Sequence, residues 1–133
     1  MRRIDLSFLF LAGLCLLVGV SLGIAMGIAH DFLYAPVHAH LNLVGWVSLA
    51  LFGLTYRAYP ALASSWIAPV HFGFAAVGAL VFPIGIALSV AGVTVAVAII
   101  GSLIWLGSVI LFLINLVRIA YVASSPLVLN PAE

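Results

Sequence analysis

The chain has 133 residues, 67% of them hydrophobic and 5% charged, with a mean hydropathy of +1.43 and a formal net charge of +1. Globular domains in water run about 45–50% apolar, so lipid rather than water is the solvent for most of this surface. With so little charge, no basic patch and no glycine-rich phosphate loop, nucleic acid is excluded as a partner.

Residues 6–29 and 58–117 carry no Asp, Glu, Lys or Arg. A spanning helix needs ~20 apolar residues, so the first stretch holds one span and the second holds two with a turn. Residues 32–56 fit another. The reading is an all-α integral membrane four-helix bundle, one transmembrane domain with spans at about 4–29, 37–59, 66–90 and 95–121.

In the first span, Met1-Arg2-Arg3 ahead and Gly27-Ile28-Ala29 behind look like the flanks of a signal peptide. The apolar run is longer than the ~7–15 residues of a typical h-region, which favours a retained helix. Gly19, Gly23 and Gly27 form a strip at four-residue spacing that lets another helix approach closely. That helix belongs either to the same bundle or to a second copy of the chain. Cys15, the single cysteine, cannot form an intrachain disulfide and reads as a small packing residue.

His30-Asp31-Phe32-Leu33-Tyr34-Ala35-Pro36 is the first polar break, and Pro36 suits the first turn of the second helix. Residues 60–65 form an Ala- and Ser-rich connection. The third helix has Pro69 near its start and Pro83 inside, where the ring removes a backbone hydrogen bond and predicts a kink. Gly92 and Thr94 mark a tight turn before the fourth helix, and Ser124-Ser125-Pro126 begins a frayed tail.

Arg2, Arg3, Arg57 and Arg118 all fall at one end of four antiparallel spans. By the positive-inside rule that end is cytoplasmic, so both termini are inside, and Tyr56, Tyr59, Trp66 and Tyr121 form an aromatic belt there. His30, Asp31 and the entrance to the second helix then face outward.

Four histidines stand out against this background. Ionisable residues inside a membrane are costly without a partner and mark functional sites, and neutral imidazole is the commonest metal ligand. His38 and His40 lie about 200° apart on a helix and cannot ligate one ion from it together. His40 shares a face with Val44, Val47 and Leu51, and His38 shares one with Asn42, Gly45 and Leu49. Asn42 is placed to hydrogen-bond the His38 ring as a supporting group, and Asp31 to do so for a loop histidine. His71 opens the third helix from the opposite side, so it differs from His40 in depth by roughly 15–20 Å. A single iron joining the two is awkward in one upright bundle. Below His71, Ala75 and Gly78 form a trough that admits either a flat macrocycle or a neighbouring helix.

Several chemistries are absent. No Cys-x-x-Cys-His motif provides for covalent haem, no chain of carboxylates crosses the membrane to carry protons, and no Ser/His/Asp arrangement suggests a hydrolase.

The stretch His38-Ala39-His40-Leu41-Asn42-Leu43-Val44-Gly45-Trp46, continued by Phe52-Gly53-Leu54-Thr55-Tyr56-Arg57-Ala58-Tyr59-Pro60, resembles the second helix of the haem–copper oxidase catalytic subunit, in its C-type oxidase and nitric oxide reductase branch. There a His-x-Asn step opens the helix from the outer side, and a Tyr and Pro close it. The chain also resembles small four-span bacterial membrane proteins related to that subunit, with His71-Phe72 matching a His-Phe step. The resemblance covers about 36–60 well and 71–88 in part. It implies a bacterial inner-membrane protein in which His40 is an axial ligand of haem b, followed by His71, then His38 and His30. It does not carry over oxygen or NO reduction, because the ligands of the binuclear centre sit on helices this chain lacks. The family subunit arranges four-helix units with pseudo-threefold symmetry. A homo-oligomer, trimer or dimer, would rebuild that plan and supply ligands from a neighbour.

Three functions follow as expectations. The first is a haem b protein for electron transfer, with a redox partner, or for O2 or NO handling. The second is a copper- or zinc-binding or transport protein using His30, His38 and His40. The third is a structural or assembly subunit of a respiratory complex whose histidines only make hydrogen bonds.

Overall fold

A computed structural model describes residues 3–124, and Arg2 and the tail from Ser125 lie outside the described residues. Those described are helical or in turns, with four helices long and apolar enough to cross a membrane. They are α1 (Ile4–Ala29), α2 (Ala35–Ala58), α3 (Ile67–Val90) and α4 (Ala96–Ser124). Each boundary lies within three residues of the one read from hydropathy. The connection after α2 differs: Pro60–Ala63 forms a helical turn of its own.

The turns follow from local chemistry. Pro36 sits in the first turn of α2, where its missing N–H is not needed. Gly92, at φ +74°, ends α3: Gly92 N–H donates to Ser89 O and Val93 N–H to Leu88 O, closing the last carbonyls in a left-handed cap. Thr94 Oγ1 then accepts Ala96 N–H at 3.2 Å to start α4. His30 performs the glycine role at the end of α1. It adopts φ 51°, and its own N–H and that of Asp31 both donate to Met26 O.

The helices form two hairpins, each closed by glycine. On α1, Gly19 and Gly23 lie against α2: a Cβ on Gly19 would stand 2.7 Å from Asn42 Nδ2, and one on Gly23 2.7 Å from His38 Cε1. Gly27 has no such neighbour. Two of the three strip glycines therefore pack inside the bundle. A Cβ on Gly45 would stand 2.7 Å from Cys15 Cβ, so Cys15 is the small buried packing residue expected of it. In the α3–α4 hairpin, a Cβ on Gly78 would stand 3.0 Å from the Trp105 backbone, one on Gly85 would run into the Ala98 backbone, and one on Gly101 would stand 2.7 Å from the Phe82 backbone. The trough below His71 thus holds a neighbouring helix. Close backbone approach of this kind is how helices associate in lipid, where the solvent is as apolar as the side chains.

A core of Phe8, Ala12, Leu49, Phe52, Tyr56, Leu62, Ala68 and Ala75 joins the hairpins. Outside it, Ile99, Leu103, Leu106, Ile110 and Leu113 leave one face of α4 exposed, as lipid contact requires.

The middle of α2 departs from the α-helical expectation. Leu41–Ser48 is π-helical. Side chains bracket the wide turns: Asn42 Nδ2 donates to His38 O at 2.8 Å, and Ser48 Oγ donates to Leu43 O at 2.8 Å. An amide inserted into the backbone ladder displaces the i→i−4 bond and widens the turn. The shared face drawn for His40 therefore dissolves. Its ring turns toward α3, whereas Val47 and Leu51 are exposed.

Candidate functional site

The three described arginines lie at one end, as the hydropathy reading places them. Arg57 Nη1 is 3.8 Å from Asp5 Oδ2, and Arg3 Nε is 3.3 Å from Asp5 Oδ1. Arg118 Nη2 donates to Ala61 O at 3.1 Å, in the turn just beyond Arg57. Tyr59, Trp66 and Tyr121 are exposed at this end, as a belt would be. Tyr56 is not part of it: it is 2% exposed and faces the core.

Tyr56 instead belongs to a buried network that reaches His71. Asn115, fully buried on α4, is the organiser. Its Oδ1 accepts from Arg118 Nε at 3.2 Å, and its Nδ2 donates to Leu62 O at 3.1 Å and to Tyr56 Oη at 3.3 Å. A guanidinium only donates and a carbonyl only accepts, so these two partners set the amide's orientation. Tyr56 Oη therefore accepts from Asn115, and it shares a 3.0 Å hydrogen bond with His71 Nδ1 whose direction follows the tautomer of the ring. His71 Nε2 has no hydrogen-bond partner among the described residues. Phe8, Phe52 and Phe112 surround the ring at centroid distances of 5.1, 4.7 and 5.5 Å, and the residue is fully buried.

The other histidine system lies at the opposite end. His38 Nδ1 is 2.7 Å from Gly19 O, a carbonyl laid bare by the glycine strip. Carbonyls only accept, so Nδ1 carries the proton and Nε2 a lone pair. Asn42 Nδ2 approaches the same nitrogen at 3.4 Å, but the shorter bond decides the tautomer. Asn42 supports the His38 backbone, and Gly19 orients its ring. His40 repeats the pattern: its Nδ1 is 2.8 Å from Pro36 O, so Nε2 is unprotonated, and the ring is half-buried, edge-on to Phe82 at 4.9 Å. A backbone carbonyl holding Nδ1–H is the usual support for an imidazole that ligates through Nε2.

His40 and His71 are not brought together. Phe82, beside His40, lies eleven residues along α3 from His71, or ~16 Å at 1.5 Å per residue. His30 is exposed in the cap after α1. Asp31 supports the loop rather than a histidine, with Oδ1 accepting Leu33 N–H at 3.0 Å. Among the described residues no three His, Cys, Asp or Glu side chains gather closely enough to hold a metal ion.

Asn115 is the site residue that the sequence reading passed over, and Arg118 entered it only as a marker of orientation. The signal was there: Asn115 is the one amide in the fourth apolar run, three residues before its only cation.

No protein-family model matches the chain, and no characterised protein or solved structure matches it either.

Proposed function

We propose that this chain is a multi-pass haem b-binding subunit of the bacterial cytoplasmic membrane, both termini inside, with His40 as axial ligand. Bound haem b would supply one-electron chemistry, for electron transfer or O2 or NO handling. The observation that carries this reading is the His40 tautomer: Nδ1 held by Pro36 O, with an unprotonated Nε2 on a half-buried ring. The residues present fit one axial position per chain. His71 is ~16 Å from His40 along α3 and enclosed by Phe8, Phe52 and Phe112, so on this reading the second imidazole comes from a neighbouring copy. This favours a dimer; a trimer would follow the pseudo-threefold plan of the resembling subunit.

Absorption spectra of the detergent-purified protein, air-oxidised and dithionite-reduced, test this. A Soret band is expected, lost in His40→Ala and retained in His30→Ala. Colourless protein after expression with ample haem refutes it. Copper or zinc found without haem would favour the metal-transport reading, although the described residues hold no three-ligand cluster. A structural or assembly role draws support from His38 and His71, whose ring nitrogens serve helix contacts. It predicts that no histidine substitution changes colour or bound metal.

A further inference from the structure

Two clefts open side by side at the arginine-bearing end and share Arg3, Ile4 and Pro69. The first, of ≈ 460 Å³, lies between the end of α2 and the starts of α1 and α3, with Asp5 and Arg57 in its wall. The second, of ≈ 570 Å³, runs down α1 from Arg3 to Phe10, walled by Leu6 and Phe72. Arg3 to Phe10 is ~10 Å of helix, so a polar recess at the end of a span continues into an apolar furrow. That is the shape of an amphiphile with a polar head and a hydrocarbon chain.

Charge selects the head. Among the described residues, Arg3 and Arg57 face a single carboxylate, Asp5, which leaves one positive charge over. Arg57 reaches Asp5 through one nitrogen at 3.8 Å, beyond hydrogen-bond distance, and its side chain is 68% exposed. Its donor fork is thus free to take a phosphate bidentately. A neutral or zwitterionic head would leave that charge uncompensated.

We propose that the double cleft binds one anionic phospholipid, its phosphate between Arg3 and Arg57 and an acyl chain along Leu6, Phe10 and Phe72. Asp5 is then a competitor for the same guanidinium groups, and the two kinds of substitution have opposite signs. The site is independent of any haem at His40.

The test uses the full chain, purified, delipidated in detergent and titrated with phosphatidylglycerol or phosphatidylcholine, with retained lipid counted by native mass spectrometry. Phosphatidylglycerol should be held in preference to phosphatidylcholine. Arg57→Gln and Arg3→Gln should each weaken it about five-fold, the effect of one arginine at a membrane surface, and Asp5→Asn should strengthen it. Monodispersity and helix content establish that each variant folds. Equal retention of both lipids, unchanged retention in Arg57→Gln, or a loss in Asp5→Asn would each overturn the proposal. Displacement of the lipid by millimolar inorganic phosphate alone would also overturn it, because the furrow would then contribute nothing.

Discussion

The Tyr56–His71 pair yields a prediction whose sign is unusual: a second substitution should repair the first. Tyr56→Phe removes two hydrogen bonds, one to His71 Nδ1 and one from Asn115. Interhelical hydrogen bonds in membranes average ~0.6 kcal/mol each. The larger effect is the orphaned His71 Nδ1, which joins an Nε2 that already lacks a partner. A buried unsatisfied polar group costs about 1–3 kcal/mol, so Tyr56→Phe should destabilise by about 2–4 kcal/mol in total. Adding His71→Leu removes both orphaned nitrogens and places a hydrocarbon of similar size among Phe8, Phe52 and Phe112. The double variant should regain about 1–2 kcal/mol relative to Tyr56→Phe. His71→Leu alone exchanges the orphaned Nε2 for an orphaned Tyr56 hydroxyl, and should fall within about 1 kcal/mol of the parent. Reversible unfolding in mixed micelles, followed by helix signal, measures all four proteins. Additive losses, with the double variant weaker than Tyr56→Phe, would refute the Tyr56–His71 bond and the unpartnered Nε2.

The glycines give a matched set. Gly19→Ala should cost about 1–3 kcal/mol, because its Cβ meets the Asn42 amide, and Gly23→Ala should cost a similar amount by displacing the His38 ring from Gly19 O. Gly27→Ala meets nothing within 4 Å and should be neutral or stabilising by up to about 1 kcal/mol. The same unfolding measurement checks all three, and equal effects would show that the strip is read wrongly. Gly85→Ala sets a Cβ against the Ala98 backbone, which cannot rotate away as a side chain can. It should cost about 3 kcal/mol or more and loosen the α3–α4 hairpin, seen as faster proteolysis at the Gly92 turn. Cys15, 3% exposed behind Gly45, should resist a water-soluble maleimide in the folded protein and react on unfolding.

Hydropathy carried the helices and their order because length and apolarity are local properties. Gly92, Thr94 and Pro36 were legible for the same reason, since each acts on its own backbone. The glycine strip was legible as a contact surface, but which helix used it was not: that depends on His38 and Asn42 arriving from α2. The π-helical stretch escaped, because the Asn42 amide was read only as a support for the His38 ring, which it meets at 3.4 Å, and not as a donor to the His38 carbonyl at 2.8 Å. Tyr56 escaped too. Its place beside Arg57 suggests an interfacial aromatic, and only the distant Asn115 draws its hydroxyl inward. Pairings across ~60 residues leave no periodic trace. They announce themselves only as a polar residue where lipid would forbid one, as at Asn115.

The two histidine systems divide the molecule by function. At one end, Arg118, Asn115, Tyr56 and His71 form a hydrogen-bonded chain that stops against aromatic rings. It ties α4 and the Pro60–Ala63 turn to α2 and α3 through Leu62 O and Ala61 O. Such a terminus suits fixing a packing arrangement, because any ligand at His71 Nε2 must first open the phenylalanine shell. At the other end, His38 and His40 both direct Nδ1–H to backbone carbonyls and keep an Nε2 lone pair. His38 spends its ring against Gly19 and Gly23, whereas His40 rests edge-on to Phe82 and stays half-buried. Of the four imidazoles, only His40 combines an orienting bond, a basic nitrogen and a surface that a neighbouring chain can reach. On the proposed haem-binding function, the ligand site would centre on His40, with its second imidazole supplied by a neighbouring copy.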